Sequence, residues 1–203
     1  MIGIVDYGLG NISALLNVFK MLNIEAAAIG NPDQLRDATK LILPGVGAFD
    51  HAMELLDGSR MRDTLDDLVL HQKVPVLGIC VGMQILGLSS EEGQAEGLGW
   101  IDGCVRSFRS LQQKGLVLPH MGWNDVKPVS DSLLLRQLHV DARFYFLHSY
   151  YFDCLRSEDV AAVSGYGIEF CCAVHAGNVY GVQFHPEKSH HFGAQLLKNF
   201  AEL

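Results

Sequence analysis

The feature that most limits what this chain can become is the rhythm of its N-terminal half. There, apolar runs of strand length end at glycine or proline turns and give way to helical spacing. Ile2 to Asp6 runs into Tyr7-Gly8-Leu9-Gly10, after which Ile12, Leu15, Leu16, Phe19 and Leu22 recur along one side of a helix. Glu25 to Ile29 is followed by Asn31-Pro32, an N-cap residue with proline at the first helical position, which predicts a short helix. Leu41-Ile42-Leu43 leads into Pro44-Gly45-Val46-Gly47, and Val74 to Ile79 leads into Cys80-Val81-Gly82 with a helix expected through about Leu88. Strands alternating with helices pair in parallel, in a sheet whose faces the helices cover. With 203 residues and 49% hydrophobic content, a single domain spanning residues 1–203 is expected.

The second half changes character. Arg143 to His148 is a short strand-like run, and Phe170 to Phe184 reads as a hairpin turning at Ala176-Gly177-Asn178, so mixed or antiparallel pairing is expected there. A last helix, roughly His191 to Glu202, sets Ala194, Leu197, Lys198 and Ala201 along one side with Leu196 and Phe200 beside them. Leu88 to Gly103, with Ser89-Ser90-Glu91-Glu92-Gly93, reads as a flexible polar loop.

A net charge of −8 argues against a nucleic-acid partner, because affinity for a phosphate backbone depends on clustered Lys and Arg. The N-terminus shows no basic region, signal-length apolar stretch or cleavage pattern, and no segment is apolar over the length of a bilayer. A soluble cytoplasmic protein with no membrane partner is expected. Cys80, Cys104, Cys154, Cys171 and Cys172 are odd in number and lack C-x-x-C spacing, which predicts reduced thiols and no structural zinc. Cys171 and Cys172 are read as small buried fillers on opposite faces of a strand.

Gly78-Ile79-Cys80-Val81-Gly82 has the G-x-nucleophile-x-G form of a nucleophile elbow, with a thiol in the nucleophile position where a buried strand meets a helix. Unfilled N–H groups at a helix start favour a thiolate. Gly181-Val182-Gln183-Phe184-His185-Pro186-Glu187 supplies an imidazole and, two positions on, a carboxylate that fixes the tautomer leaving the other ring nitrogen free to take the thiol proton. Cys80, His185 and Glu187 are therefore the candidate catalytic triad. Taken singly, the two segments have inert readings as a buried structural cysteine and a surface His-Pro-Glu turn. His185, Glu187, His190 and His191 also invite a metal reading, but they lack the paired spacing of a helical metal motif, and no metal is expected. His51, His71, His139 and His175 are read as exposed or satisfied polar residues. An acyl-transfer site needs donors for a tetrahedral oxyanion, and the N–H groups of Val81 and of Val46, in Pro44-Gly45-Val46-Gly47, are the candidates. No phosphate-binding G-x-x-x-x-G-K-[ST] segment occurs.

Together, Gly78-Ile79-Cys80-Val81-Gly82-Met83-Gln84 and Phe184-His185-Pro186-Glu187-Lys188-Ser189 resemble the two defining motifs of triad-type class I glutamine amidotransferases. Within that superfamily, four segments are similar to the glutaminase subunits of imidazole glycerol phosphate synthase: Asp6-Tyr7-Gly8-Leu9-Gly10-Asn11, Pro44-Gly45-Val46-Gly47, Pro119-His120-Met121-Gly122-Trp123-Asn124 and His148-Ser149-Tyr150. The match runs from about Ile4 to Phe200. It implies a flavodoxin-like α/β fold and hydrolysis of glutamine to glutamate and ammonia, without a cofactor. The ammonia would be consumed by a (β/α)8-barrel cyclase subunit, in a heterodimer that makes imidazole glycerol phosphate and an aminoimidazole carboxamide ribotide in histidine biosynthesis. By the same resemblance, glutamine lies near Gly47, Gly82, Gln84, Glu92, Ser149 and Tyr150, with Glu91 the alternative to Glu92. The cyclase meets Asn11, His120, Met121, Trp123, Asn124, Tyr145 and Lys188. A glutaminase serving pyridoxal phosphate, anthranilate or purine synthesis is the alternative within the superfamily. A cysteine peptidase on a similar sheet and a non-catalytic binding subunit are the alternatives outside it.

Overall fold

The computed structural model describes residues 1–111, 115–129, 131–138 and 141–203, so His139 lies outside the described residues. Strands β1 (Ile2–Val5), β2 (Ala26–Ile29), β3 (Lys40–Gly45) and β4 (Val76–Cys80) form from the four N-terminal apolar runs and pair in parallel in the order β2-β1-β3-β4. Every residue of β1 and β4 is buried, which is why these runs are apolar throughout and do not alternate. Helices α1 (Ile12–Met21), α2 (Pro32–Leu35), α3 (Phe49–Gly58) and α4 (Arg62–Asp66) fill the connections. Leu15, Val18 and Phe19 of α1 pack inward, and Asn31 Oδ1 caps α2 by accepting the Gln34 N–H at 3.0 Å.

The helix after Cys80 is shorter than its spacing suggests. It is a single turn, α5 (Val81–Gln84), because the carbonyls of Ile85, Leu86 and Gly87 accept from Leu98, Trp100 and Gly99 of a returning segment. For the same reason the stretch from Leu88 to Gly103 is no free loop. It contains β5 (Ser89–Ser90), the Asp50 carboxylate of α3 accepts the N–H groups of Gln94 and Ala95, and Trp100 Nε1 donates to Asp66 at 2.7 Å.

The remaining strands are β6 (Gly103–Ser107), β7 (His120–Asp125), β8 (Lys127–Pro128), β9 (Arg143–His148), β10 (Tyr150–Cys154), β11 (Val160–Tyr166), β12 (Ile168–Ala176) and β13 (Val179–Val182). β13 joins β4 in parallel, completing the order β2-β1-β3-β4-β13 of a flavodoxin-like sheet. Antiparallel β12 extends it through β10 to β6, with β11 and β8 alongside, and β7 and β9 form a separate two-stranded antiparallel sheet. The β12–β13 hairpin turns at Gly177-Asn178 as expected. Cys171 and Cys172 are buried, and all five cysteines are free.

The closing helix, α6 (His190–Ala201), forms where expected but is rotated. Gly193, Leu196, Leu197, Asn199 and Phe200 are buried while Lys198 is exposed, so Leu196 and Phe200 sit on the buried face and not beside it. Gly193, Leu196, Leu197 and Phe200 follow i, i+3, i+4, i+7 spacing, and Asn199 joins their buried face because its amide donates to the carbonyls of Leu134 and Arg136.

Candidate active site

β4 ends on Cys80, which adopts φ +56° and ψ −113°, a region L residues avoid at a cost of about 1–3 kcal/mol. The flanking glycines permit this turn for steric reasons. A Cβ at Gly78 would stand 2.5 Å from the Gly82 carbonyl oxygen, and one at Gly82 would stand 1.8 Å from the Leu43 oxygen. The thiol is thereby pushed out at the C-terminal edge of the parallel strands, where open α/β sheets place their ligands. Since α5 is one turn long, its dipole adds less than a full helix would, and the sulfur's surroundings are set by local groups.

His185 arrives from the neighbouring strand, two residues after the buried pair Val182 and Gln183, and its N–H bonds to the Tyr145 carbonyl of β9 at 2.9 Å. Pro186 starts a short 3-10 turn that swings Glu187 back under the ring, so that His185 Nδ1 lies 3.0 Å from Glu187 Oε1 with both side chains almost fully buried. Ser189 fixes the turn by donating to the His185 carbonyl at 2.6 Å and accepting the Tyr145 N–H at 3.0 Å. Burial alone would lower the imidazole pKa, but hydrogen bonds and charge from Cys80 and Glu187 outweigh it and raise the pKa to about 9. A protonated ring beside the sulfur is the state that favours a thiolate. The second Glu187 oxygen, Oε2, is buried with no hydrogen-bond partner among the described residues.

Cys80 and His185 both line a pocket of about 290 Å³. Val46, Gly47, Val81, Gln84, Ser149 and Tyr150 line it as well. Gly47 sits at φ +92° with no atom near its missing side chain, so the rim peptide there is free of steric restraint. Glu92, not Glu91, reaches the pocket. Glu92 accepts the Phe49 N–H at 2.9 Å, whereas Glu91 turns outward to Arg106 and the Ser107 N–H. Gly82 does not line the pocket, and its place in the motif is explained by the contact with Leu43. Pro119, Leu147 and His148 line it although their residue types gave no sign of it.

The surface segment 120–125 is strand β7, and its alternation divides the residues expected at a partner interface. Met121 and Trp123 point outward opposite Leu147 and Tyr145 of β9, and Asn11 and Lys188 are exposed as well. His120 points inward and is buried at 4% exposure, stacked on Tyr166 and Phe146. Asn124 shares that inner face, donating to the Gly165 carbonyl at 2.9 Å and meeting His120 Nε2 at 3.1 Å. Burial holds the His120 pKa down at about 4 and that of His148 at about 3, so both rings are neutral at pH 7. His190 stacks on Trp123 and His191 lies against Phe192.

A strained cysteine at the end of a central strand, an imidazole just beyond the end of the adjoining strand and a carboxylate behind it are an arrangement suited to thiol-dependent acyl transfer. The sequence model of the class I glutamine amidotransferases matches residues 3–203, and the chain belongs to that family. A solved glutamine amidotransferase shares the fold with a TM-score of 0.77 at 20% identity, covering 99% of this chain and 97% of that one. Within the family its relatives are more specific. The chain is 59% identical to the imidazole glycerol phosphate synthase subunit HisH of Bdellovibrio bacteriovorus and 52% identical to that of Leptospira interrogans, each over 100% of both chains.

Proposed function

We propose that this chain is the glutaminase subunit of an imidazole glycerol phosphate synthase, supplying ammonia for histidine biosynthesis. The observation that carries the chemistry is the 3.0 Å contact from Glu187 Oε1 to His185 Nδ1, which leaves Nε2 as the ring nitrogen for the Cys80 side of the pocket. In this reading the Cys80 thiolate attacks the side-chain amide carbon of glutamine. The N–H groups of Val81 and Val46 receive the oxyanion. His185 passes its Nε2 proton to the leaving nitrogen, the C–N bond breaks, and ammonia departs from a glutamyl thioester. Water then gives a proton to Nε2 and attacks the thioester. The C–S bond breaks, releasing glutamate and restoring the thiolate and imidazolium. Gln84, Ser149, Tyr150, Gly47 and the Glu92 carboxylate surround the space for the amino-acid end of glutamine, a carboxylate being the group to meet its ammonium.

The partner in this reading is a (β/α)8-barrel cyclase subunit. Its docking face is the outer side of β7 and β9, where Met121, Trp123 and Leu147 are 64%, 40% and 37% exposed beside the pocket mouth. An apolar cluster of this kind at a site's rim is typical of a protein contact. Tyr145, Lys188 and Asn11 border it. Five free cysteines are in keeping with a reducing cytoplasm, and no helix among the described residues is long and apolar enough to cross a membrane. The test is Cys80→Ala in the complex with the cyclase. Glutamine-dependent synthesis should vanish while synthesis from added ammonium persists, and near-normal use of glutamine would remove Cys80 as nucleophile.

A further inference from the structure

Beside the triad lies a polar group that glutamine hydrolysis, as derived above, does not use. Gln183 is fully buried in an otherwise apolar run, and its Nε2 stands 3.8 Å from Cys80 Sγ. Its Oε1 accepts from Gln84 Nε2 at 3.0 Å, and Gln84 Nε2 also faces the Tyr150 carbonyl at 3.4 Å. That carbonyl can only accept, which fixes the orientation of both amides. Turning Gln84 over would set oxygen against the Tyr150 oxygen, and turning Gln183 over would set two NH2 groups against each other. The carbonyl is itself held by His148 Nδ1 at 2.7 Å, and His148 Nε2 meets His120 Nδ1 at 2.8 Å. With both rings neutral, the proton order is fixed along the row. Asn124 donates to His120, His120 to His148, and His148 to Tyr150. Every hydrogen-bonding group in the row has one role, and the end of it that faces the sulfur is an N–H donor.

We infer that Gln183 is a further catalytic residue, whose side-chain amide donates to the Cys80 sulfur and holds it as a thiolate, with Gln84 and the His120–His148 pair positioning that donor. The inference rests on Cys80 being the nucleophile. In the resting thiol, Sγ faces the Leu147 carbonyl at 4.0 Å, a contact that ionisation removes, while the Gln183 donor gains strength against a charged acceptor.

The test reads the sulfur without glutamine turnover, so its failure is separable from failure of Cys80→Ala to abolish glutaminase activity. Iodoacetamide labelling of the Cys80 peptide is followed by mass spectrometry across pH for wild type and for Gln183→Met, which keeps length but has no donor. The half-maximal pH of labelling should rise by about one unit in the variant. It should rise further in Gln183→Glu, which turns an oxygen toward the sulfur. In the cyclase complex, kcat for glutamine should fall roughly tenfold. Superimposable labelling profiles in a folded Gln183→Met protein would overturn the inference. Should the variants not fold, wild-type protein carrying 15N-glutamine decides. The Gln183 side-chain amide resonance must shift as Cys80 ionises or is alkylated, and a resonance indifferent to both would also overturn it.

Discussion

Glu187 holds His185 with one oxygen and leaves the other buried with no hydrogen-bond partner among the described residues, which sets the order of damage expected from substitution. Glu187→Gln can keep its Oε1 on the imidazole Nδ1–H and put the amide group on the empty side. It preserves the tautomer and loses only the charge that stabilises the imidazolium. His185→Ala removes the proton carrier and is expected to damage glutamine hydrolysis nearly as much as Cys80→Ala. Residues acting as one unit are not additive, so the double variant should be little worse than either single one. Steady-state glutaminase rates on the complex check this. Multiplicative losses from Cys80 and His185 would mean that they do not act on the same step.

At the scale of elements, two carboxylates latch the segment 90–95 to the start of α3. Glu92 accepts the Phe49 N–H, and Asp50 accepts the N–H groups of Gln94 and Ala95 in return. Gly93 lies so close to Asp50 that an added Cβ would meet its carboxylate oxygen at 1.9 Å. These hydrogen bonds hold the Asp50 carboxyl below the usual carboxylate range. The latch sets Glu92 at the pocket and anchors the chain just beyond the rim residues Val46 and Gly47. Asp50→Ala should therefore raise KM for glutamine by roughly 3- to 30-fold through misplacement of Glu92, the equivalent of one or two lost hydrogen bonds. An unchanged KM would show that Glu92 is placed without the latch.

Across the whole molecule, the small sheet of β7 and β9 is tied to the large one through buried neutral rings. His120 on β7 bonds to His148 on β9, which bonds to the Tyr150 carbonyl of β10, and Asn124 bonds to Gly165 of β11. Folding depresses both imidazole pKa values, to about 4 and about 3, from the value near 6.5 of an unfolded chain. The unfolded state therefore binds more protons below about 6.5. Stability is lost as pH falls from there toward 4, by roughly 1.4 kcal/mol per pH unit for each ring. Urea midpoints should drop between pH 6.5 and 5, above the range where carboxylates titrate. A midpoint flat over that window would exclude a neutral buried pair.

What depends on near neighbours along the chain was legible in the amino-acid order alone. Four apolar runs became the parallel strands, three of them (β1, β3 and β4) without alternation because both their faces are buried, and the glycines around Cys80 marked the elbow because the turn brings backbone within contact distance. His185 and Glu187, two positions apart across a proline, were legible as a pair for the same reason. Local spacing was misleading where distant segments took over the hydrogen bonds. Thus α5 stops at Gln84 because residues 98–100 claim the carbonyls that would continue it. The fold alone placed β13 beside β4 and so brought His185 to Cys80. It decided that Glu92 faces the pocket while Glu91 pairs with Arg106, and that strand alternation turns Met121 and Trp123 outward but His120 and Asn124 inward. A buried amide such as Gln183 gives no periodic signal. Its role is set by which groups surround it, and those come from strands far apart in the chain.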